Sequence, residues 1–123
     1  MATQGTNLYF IVKEGLFAQV HELLGITSGT AETRKVFEYN IGDAVPTDLA
    51  VVRPSAQETI FFFSTTAGIF YNSGETTKPL SQTDTNNTRE MDISFFGDTI
   101  LVYATQMREG ALHFVVYQLT RNP

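Results

Sequence analysis

The 123-residue chain contains two histidines and no cysteine, which limits the metal and nucleophilic chemistry available to it. A metal site built on histidine needs several ligands close together, and His21 and His113 lie in distant segments. In the strands assigned below, His21 shares a face with Gln19, which predicts a solvated ring. His113 shares its face with Val115 and Tyr117, which predicts a partly buried ring with a hydrogen-bond partner. We predict no metal and no cofactor.

A polar segment contains Asp84, Asn86 and Thr88 at alternating positions, as at the start of a calcium-binding loop. The pattern fails at the two strictest positions, because Arg89 replaces the loop glycine and Phe95 replaces the bidentate glutamate. A polar surface loop explains this composition better than a calcium site does.

Carboxylates are the remaining groups that could perform hydrolysis, since paired acids act as general acid and nucleophile or base. The candidates that could meet in space are Glu14, Glu22, Asp43, Asp48, Glu58, Asp92 and Asp98. Most of them stand beside predicted turns, where aspartate side chains bond the local backbone. The chain has no Gly-x-Ser-x-Gly elbow, no P-loop and no Gly-x-Gly-x-x-Gly motif. We therefore predict that it is not an enzyme.

Recognition of a partner or a sugar is the chemistry that remains. Tyr9, Tyr39 and Tyr71 stand near the ends of predicted hairpins. Exposed aromatic rings stack on sugars and anchor protein partners, because they offer a large contact area at a small entropic cost. Packing in the core is the favoured interpretation of each ring taken by itself. We take these three tyrosines as the candidate binding residues.

The charge balance excludes two classes of partner. Eight Lys and Arg residues stand against 13 Asp and Glu residues, so the formal net charge is −5. This charge opposes binding to phosphate backbones and to anionic lipid. No apolar run approaches the ~20 residues of a membrane span, and the first residues lack the features of a signal peptide. We predict neither a nucleic-acid partner nor a membrane span.

The elements that position these residues are short apolar or alternating runs bounded by turn residues, which is typical of strands. The predicted strands are 7–13, 16–23, 35–41, 48–53, 59–65, 68–72, 90–96, 99–105 and 111–119. They predict a single all-β domain over residues 1–123. A helix over 15–24 is the main competitor, because Leu16, Val20, Leu23 and Leu24 also fit a helical stripe.

Three stretches share one plan, in which an apolar run, a short turn containing glycine and a second apolar run form an antiparallel hairpin. They begin at Leu8, Thr59 and Thr99, an interval of roughly 40 to 50 residues, as in β-propeller blades. An antiparallel β-sandwich or a small β-barrel would contain similar hairpins and remains the alternative. A chain of this length holds fewer strands than the roughly four to eight blades of a closed ring require.

The run Ile60–Phe63 contains three consecutive phenylalanines, although a half-exposed strand would send every second one into water. Sheets stacked face to face cover both faces of a strand and remove the need to alternate. We therefore predict that Ile60–Phe63, Leu8–Val12 and Ile100–Tyr103 are inner strands covered on both faces.

The segments DLAVVRPSAQETIFFFSTTAGIFYNSGE and REMDISFFGDTILVYATQMREGALHFVVYQL resemble the C-terminal propeller-like segment of the PKD-like surface lipoproteins of Bacteroidetes. The resemblance covers roughly residues 35–119 and is carried by the strand and hairpin pattern. It implies an exported, surface-anchored protein that acts in binding or scaffolding beside glycan-uptake machinery. The lipobox cysteine of that family is absent from this chain, and the family supplies no catalytic residues to transfer.

Together these observations predict a non-catalytic binding or assembly module of an exported, surface-associated bacterial protein. The expected partners are further copies of the chain or flanking protein domains, with a glycan as a further candidate; a cytoplasmic location stays open. A self-contained barrel or sandwich that binds a small apolar ligand is the alternative function. Open sheet edges recruit partners, and we expect such contacts at strands 7–13 and 111–119.

Overall fold

The structure is a computed structural model, and it describes residues 2–4, 7–27, 29–74, 76–80 and 87–120. Within these ranges the chain forms strands and no helix. The strands are β1 (Ala2–Gln4), β2 (Asn7–Glu14), β3 (Phe17–Thr27), β4 (Thr30–Asn40), β5 (Pro46–Ser55), β6 (Glu58–Thr65), β7 (Gly68–Ser73), β8 (Thr76–Pro79), β9 (Thr88–Phe96), β10 (Thr99–Arg108) and β11 (Ala111–Thr120). Among these residues, none lies in a helix long and apolar enough to cross a membrane.

The strands form three antiparallel sheets, and each sheet is built from consecutive strands of the chain. The first sheet has the order β1-β2-β3-β4, the middle sheet β5-β6-β7-β8 and the third sheet β11-β10-β9. None of the three closes into a barrel over the residues described. The all-β class and all nine predicted strands are confirmed, and the structure adds β1 and β8. The alternative helix over 15–24 is wrong, because this segment turns and forms most of β3.

Tight turns set the register of the hairpins. Gly15 and Leu16 join β2 to β3, and Gly15 has φ 61°, which suits the first central position of a type II′ turn. Glu109 and Gly110 join β10 to β11 with φ 53° and 77°, so both central residues are left-handed, as a type I′ turn requires. Glycine tolerates this conformation, whereas a side chain such as that of Glu109 disfavours it.

The middle sheet lies between the other two, and its strand β6 is covered on both faces. Phe61 and Phe63 pack in one apolar cluster with residues of the first sheet. Ile60 and Phe62 pack in a second cluster with residues of the third sheet. The prediction for Ile60–Phe63 is therefore confirmed, and it explains why three phenylalanines follow one another. Each buried phenylalanine contributes about 1.5–3 kcal/mol to the stability of the fold.

The two flanking sheets are covered on one face only. Ile100 and Val102 are fully buried, whereas the alternating Leu101 and Tyr103 are only half-buried. In β2 the side chain of Val12 is exposed. The prediction that Leu8–Val12 and Ile100–Tyr103 are covered on both faces is wrong, since each flanking sheet has one neighbouring sheet instead of two.

The first strands of the three sheets lie next to one another. Strand β5 of the middle sheet contacts β1 of the first sheet and β9 of the third. Asp48 of β5 connects this strand to β9, because its Oδ2 accepts a 2.8 Å hydrogen bond from the backbone N–H of Met91. Its Oδ1 accepts a second one from the N–H of Leu49, also at 2.8 Å. The middle and third sheets are thus fixed to each other along one side of the stack.

The edges of the first and third sheets test the prediction that residues 7–13 and 111–119 are open edge strands. Strand β2 pairs with both β1 and β3, so the expected open edge at residues 7–13 is wrong. Strand β11 pairs with β10 on one side and, within the residues described, with no strand on the other.

Candidate interaction surface

The third sheet presents its outer face away from the middle sheet, and strand register identifies the residues on it. Residues directly opposite one another in an antiparallel pair share a face. Tyr103 is opposite Val116 and Asp92, and Thr105 is opposite Phe114 and Glu90. The outer face of the third sheet therefore comprises Glu90, Asp92, Ser94, Phe96, Thr99, Leu101, Tyr103, Thr105, Met107, Leu112, Phe114, Val116, Gln118 and Thr120.

Large apolar side chains on this outer face are open to solvent. Phe114 is 69% exposed, Leu112 is 62% exposed and Val116 is 49% exposed. They stand at every second position of β11, so they form one row. Phe96 at the end of β9 lies on the same side, opposite Thr99, and is 81% exposed. A contiguous row of this kind marks an interaction surface more often than a scattering of single apolar residues does.

A shallow groove of about 310 Å³ crosses this outer face. One wall is aromatic, because the rings of Tyr103 and Phe114 stack with centroids 6.4 Å apart and planes 28° from parallel. Glu90 and Asp92 line the groove as well, and so does Asp48 of β5. Carboxylates beside aromatic rings suit a cationic group, which gains both charge attraction and contact with the ring faces.

The first sheet has its own outer face on the opposite side of the stack. Phe10 is opposite His21, Val12 is opposite Gln19, and Gln19 is opposite Glu38. The outer face of the first sheet comprises Leu8, Phe10, Val12, Glu14, Phe17, Gln19, His21, Leu23, Lys35, Glu38 and Asn40. Val12 and Phe17 are exposed on it.

A polar network crosses the outer face of the first sheet. Gln19 Nε2 donates to Glu38 Oε2 at 3.2 Å, and Lys35 Nζ donates to Glu38 Oε1 at 3.2 Å. Because the Gln19 amide group faces Glu38, its carbonyl oxygen accepts the 3.1 Å hydrogen bond from His21 Nε2. The hydrogen bonds from Lys35 and then Gln19 lower the pKa of the Glu38 carboxyl. The His21 ring also stacks on Phe10, with centroids 5.3 Å apart.

The three candidate tyrosines occupy different surroundings and do not form one site. Tyr9 is 4% exposed and meets Phe61 edge to face at 5.0 Å, so it packs in the core, and its interpretation as an exposed binding residue is wrong. Tyr39 is half-buried against Phe63 and Phe70 in the same layer. Tyr71 is half-buried on the other side of the middle sheet. Register decides this outcome, because it turns Tyr9 and Tyr39 towards the middle sheet.

Tyr71 lines a cleft between the middle and third sheets. The cleft has a volume of about 240 Å³, and its remaining lining residues are Glu58, Ile60, Phe62, Ser73, Ile100, Leu119 and Thr120. The Tyr71 ring stacks on Phe62 with centroids 5.8 Å apart. The walls are mainly apolar and the rim is polar, but the volume lies below the roughly 300–1,000 Å³ of most small-molecule sites.

Of the other chemical candidates, the carboxylates of Asp48 and Asp92 line the same groove, whereas the two histidines lie on different sheets. His21 is half-buried instead of solvated, and His113 is exposed instead of partly buried, so both expectations for the histidine rings are wrong. In the part of the chain that the structure describes, no three His, Asp or Glu side chains come close enough to hold a metal ion. Asp84 and Asn86 of the calcium-like segment lie outside the described residues.

Buried hydroxyl and amide groups between the middle and third sheets form a structural network. Thr47 Oγ1 donates to the carbonyl oxygen of Thr88 at 2.8 Å and therefore accepts from Ser64 Oγ at 2.7 Å. Gln106 Nε2 donates to Tyr117 Oη at 2.8 Å and to Thr88 Oγ1 at 3.3 Å. Ser64 and Gln106 are fully buried, so these groups satisfy one another instead of facing a substrate.

Contacts were expected at the edge of strand 111–119, but the exposed row Leu112, Phe114 and Val116 on its outer face was missed by reasoning from the sequence. Its signal is present, since β11 is apolar on both faces: Val115 and Tyr117 alternate with the row and pack inward. When the last sheet of a stack contains a strand that is apolar on both faces, the outer face of that strand indicates an interaction surface.

Comparison with known proteins gives no relative from which a role could be transferred, since no protein-family model, curated protein or solved structure matches the chain.

Proposed function

We propose that this chain is a non-catalytic assembly module, with its sheets arranged as successive propeller-like blades, that self-associates through the uncovered outer faces of those sheets. The exposed row Leu112, Phe114 and Val116 carries this proposal. A soluble protein rarely leaves such a row open along a whole strand unless a partner covers it.

The topology supports the blade arrangement. Each sheet is a meander of consecutive strands, and the first strands β1, β5 and β9 lie side by side. Radial repetition of small antiparallel sheets around one axis defines a propeller, and blades then bury their faces against one another. In the described part of the chain, three such sheets leave two faces without a neighbouring sheet, and these are the outer faces of the first and third sheets.

The experiment that tests this function is the molar mass in solution, measured by light scattering behind a sizing column over a tenfold range of concentration. We expect a mass above that of one chain, which falls on dilution. Phe114→Asp places a charge in the centre of the exposed row and should shift the protein to single chains. Val45→Asp is the matched control, because Val45 is also exposed but lies in the link between β4 and β5.

A wild-type protein with the mass of one chain at every concentration would overturn the proposal. A Val45→Asp variant as monomeric as Phe114→Asp would show that the added charge, and not the outer face, controls association. Circular dichroism of both variants checks that the strands remain folded.

Binding of a small apolar ligand is a second candidate function, favoured by the apolar cleft beside Tyr71. Fluorescence of an apolar dye should then rise to saturation at one dye per chain. Ile100→Trp would fill the cleft and should abolish that signal, whereas Phe114→Asp should leave it unchanged. A signal that disappears with Phe114→Asp belongs to the exposed row and excludes this function.

The setting at a bacterial surface beside glycan-uptake proteins rests on the resemblance of residues 35–119 and stays a prediction. Detection of the native protein on intact cells by surface labelling would test it.

A further inference from the structure

We infer that the outer face of the third sheet binds the outer face of the first sheet of a second copy, and that two copies close a ring of six sheets. This inference rests on the proposed function and adds which faces meet, in which order, and at how many copies the assembly ends. The partner is a second copy of this chain.

The chain itself uses this mode of packing twice. The face of the first sheet that carries Tyr9 and Val20 covers the face of the middle sheet that carries Phe61. The opposite face of the middle sheet, with Phe62, covers the face of the third sheet that carries Val102. In both contacts, a sheet packs against the face of the preceding sheet in the chain that no other sheet covers.

If the same stacking is repeated once more, the first sheet of a second copy packs against the outer face of the third sheet. Covering the exposed row of β11 in this way would bury Phe114 between two sheets, as Phe62 is buried between the middle and third sheets. The face it meets is apolar at Val12 and Phe17, which are both exposed in the single chain. Contact would therefore remove apolar surface from water on both copies.

Charge favours the meeting of unlike faces. The groove on the third sheet is lined by Glu90 and Asp92 beside an aromatic wall. If two such faces met each other, carboxylates of both copies would share one interface, which is unfavourable. The outer face of the first sheet carries Lys35 as well as Glu14 and Glu38, so only the pairing of unlike faces brings a cationic side chain to this groove.

Counting sheets gives the number of copies. Closed propellers contain roughly four to eight blades, so three sheets are too few and nine are too many. Two copies of three sheets give six, and a two-fold axis along the centre of the ring relates them. Each copy then uses both outer faces, and no face remains for a third copy.

The test mixes two variants that are each defective on one face. Phe114→Asp damages the outer face of the third sheet, and Val12→Asp damages the outer face of the first sheet. We expect each variant alone to run as single chains, with a dissociation constant raised about tenfold or more. An equimolar mixture should regain the mass of two chains, because one intact pair of unlike faces remains. Phe17→Asp serves as a second first-sheet variant if Val12→Asp fails to fold.

Each other outcome has a distinct meaning. If the wild type associates but Val12→Asp and Phe17→Asp do also, the third-sheet faces bind each other and the inference is overturned. If the variants are monomeric and their mixture stays monomeric, or if the wild type grows beyond two copies, the inference also fails. In all these cases the proposed function survives, whereas a wild type that is always a single chain removes both.

Discussion

Replacing Phe62 by alanine tests the arrangement of layers most directly, because its ring lies wholly between the middle and third sheets. Phe62 is 0% exposed and stacks on Tyr71. Loss of the buried ring removes about 2 kcal/mol of transfer free energy. The hole it leaves adds a cavity term, since strands held by ladders on both sides cannot collapse into it. We therefore expect Phe62→Ala to lower the free energy of unfolding by about 3–5 kcal/mol.

Phe63→Ala should lower the free energy of unfolding by a similar amount, because Phe63 packs between the first and middle sheets. Phe63 is also 0% exposed, and its ring lies 5.3 Å from that of Phe70 and 6.0 Å from that of Phe37. Adjacent residues with equal and large effects require that both faces of β6 are covered. In a sheet with one open face, one of the two would be nearly neutral.

The assay is urea unfolding followed by circular dichroism, with both alanine variants built on Phe114→Asp so that dissociation does not contribute to the measured free energy. With a slope of about 2 kcal/mol per M, each substitution should lower the midpoint by roughly 2 M. Phe96→Ala is the control: its side chain is 81% exposed, so the change should stay within about 0.5 kcal/mol. A cost below about 1 kcal/mol for either Phe62→Ala or Phe63→Ala would refute the stacking of three layers.

Three further substitutions test single interactions. Glu109→Asn should stabilise the protein by up to about 1 kcal/mol in thermal unfolding, because asparagine tolerates the left-handed turn conformation better. Asp48→Asn removes one acceptor oxygen, so the free energy of unfolding should fall by about 1–3 kcal/mol and the Met91 amide should exchange faster. Lys35→Met should raise the pKa of Glu38 towards its ordinary value in an NMR titration.

The sign of the last effect follows from linkage. A carboxyl whose pKa is lowered in the folded state adds stability above its unfolded pKa, and that stability is lost as pH falls through the folded pKa. Lys35→Met should therefore flatten the loss of stability on the acid side. The exposed Lys78 supplies the matched control, because Lys78→Met should leave the pKa of Glu38 unchanged.

The predictions for Glu109→Asn and Asp48→Asn can each be contradicted by one result. Glu109→Ala removes the same charge without favouring the left-handed turn, so Glu109→Asn must be the more stable of the pair. Unchanged exchange of the Met91 amide in Asp48→Asn would show that this carboxylate does not hold β5 to β9.

The strands were predictable because their signals are local. Apolar runs and turn glycines such as Gly15 mark the hairpins without knowledge of neighbours, and the phenylalanine run of β6 requires cover on both faces wherever it lies. Strands β1 and β8 were missed because their sequences, ATQ and TTKP, carry no apolar pattern. These two strands form by pairing with β2 and β7, whose apolar side chains pack in the core.

The surface was not predictable in the same way, since exposure depends on which sheet lies next to which face. Tyr9 and Phe114 are both aromatic residues in apolar strands, yet one is 4% and the other 69% exposed. The sequence pattern of each strand is compatible with either outcome. What separates them is that the first sheet turns Tyr9 inward, while Phe114 points away from the last layer of the stack.

The side of β11 that pairs with no strand among the residues described also bears on the aggregation of this protein under stress. The strand has ten residues, with no proline and no side chain of Asp, Glu, Lys or Arg. The outer strand of the first sheet, β4, instead carries Glu32, Arg34, Lys35 and Glu38, and charges of this kind prevent one edge from adding to another. An uncharged, β-prone segment with a free backbone edge meets the requirements for cross-β growth. Under heat stress we therefore expect fibrils to nucleate at the C-terminal strand.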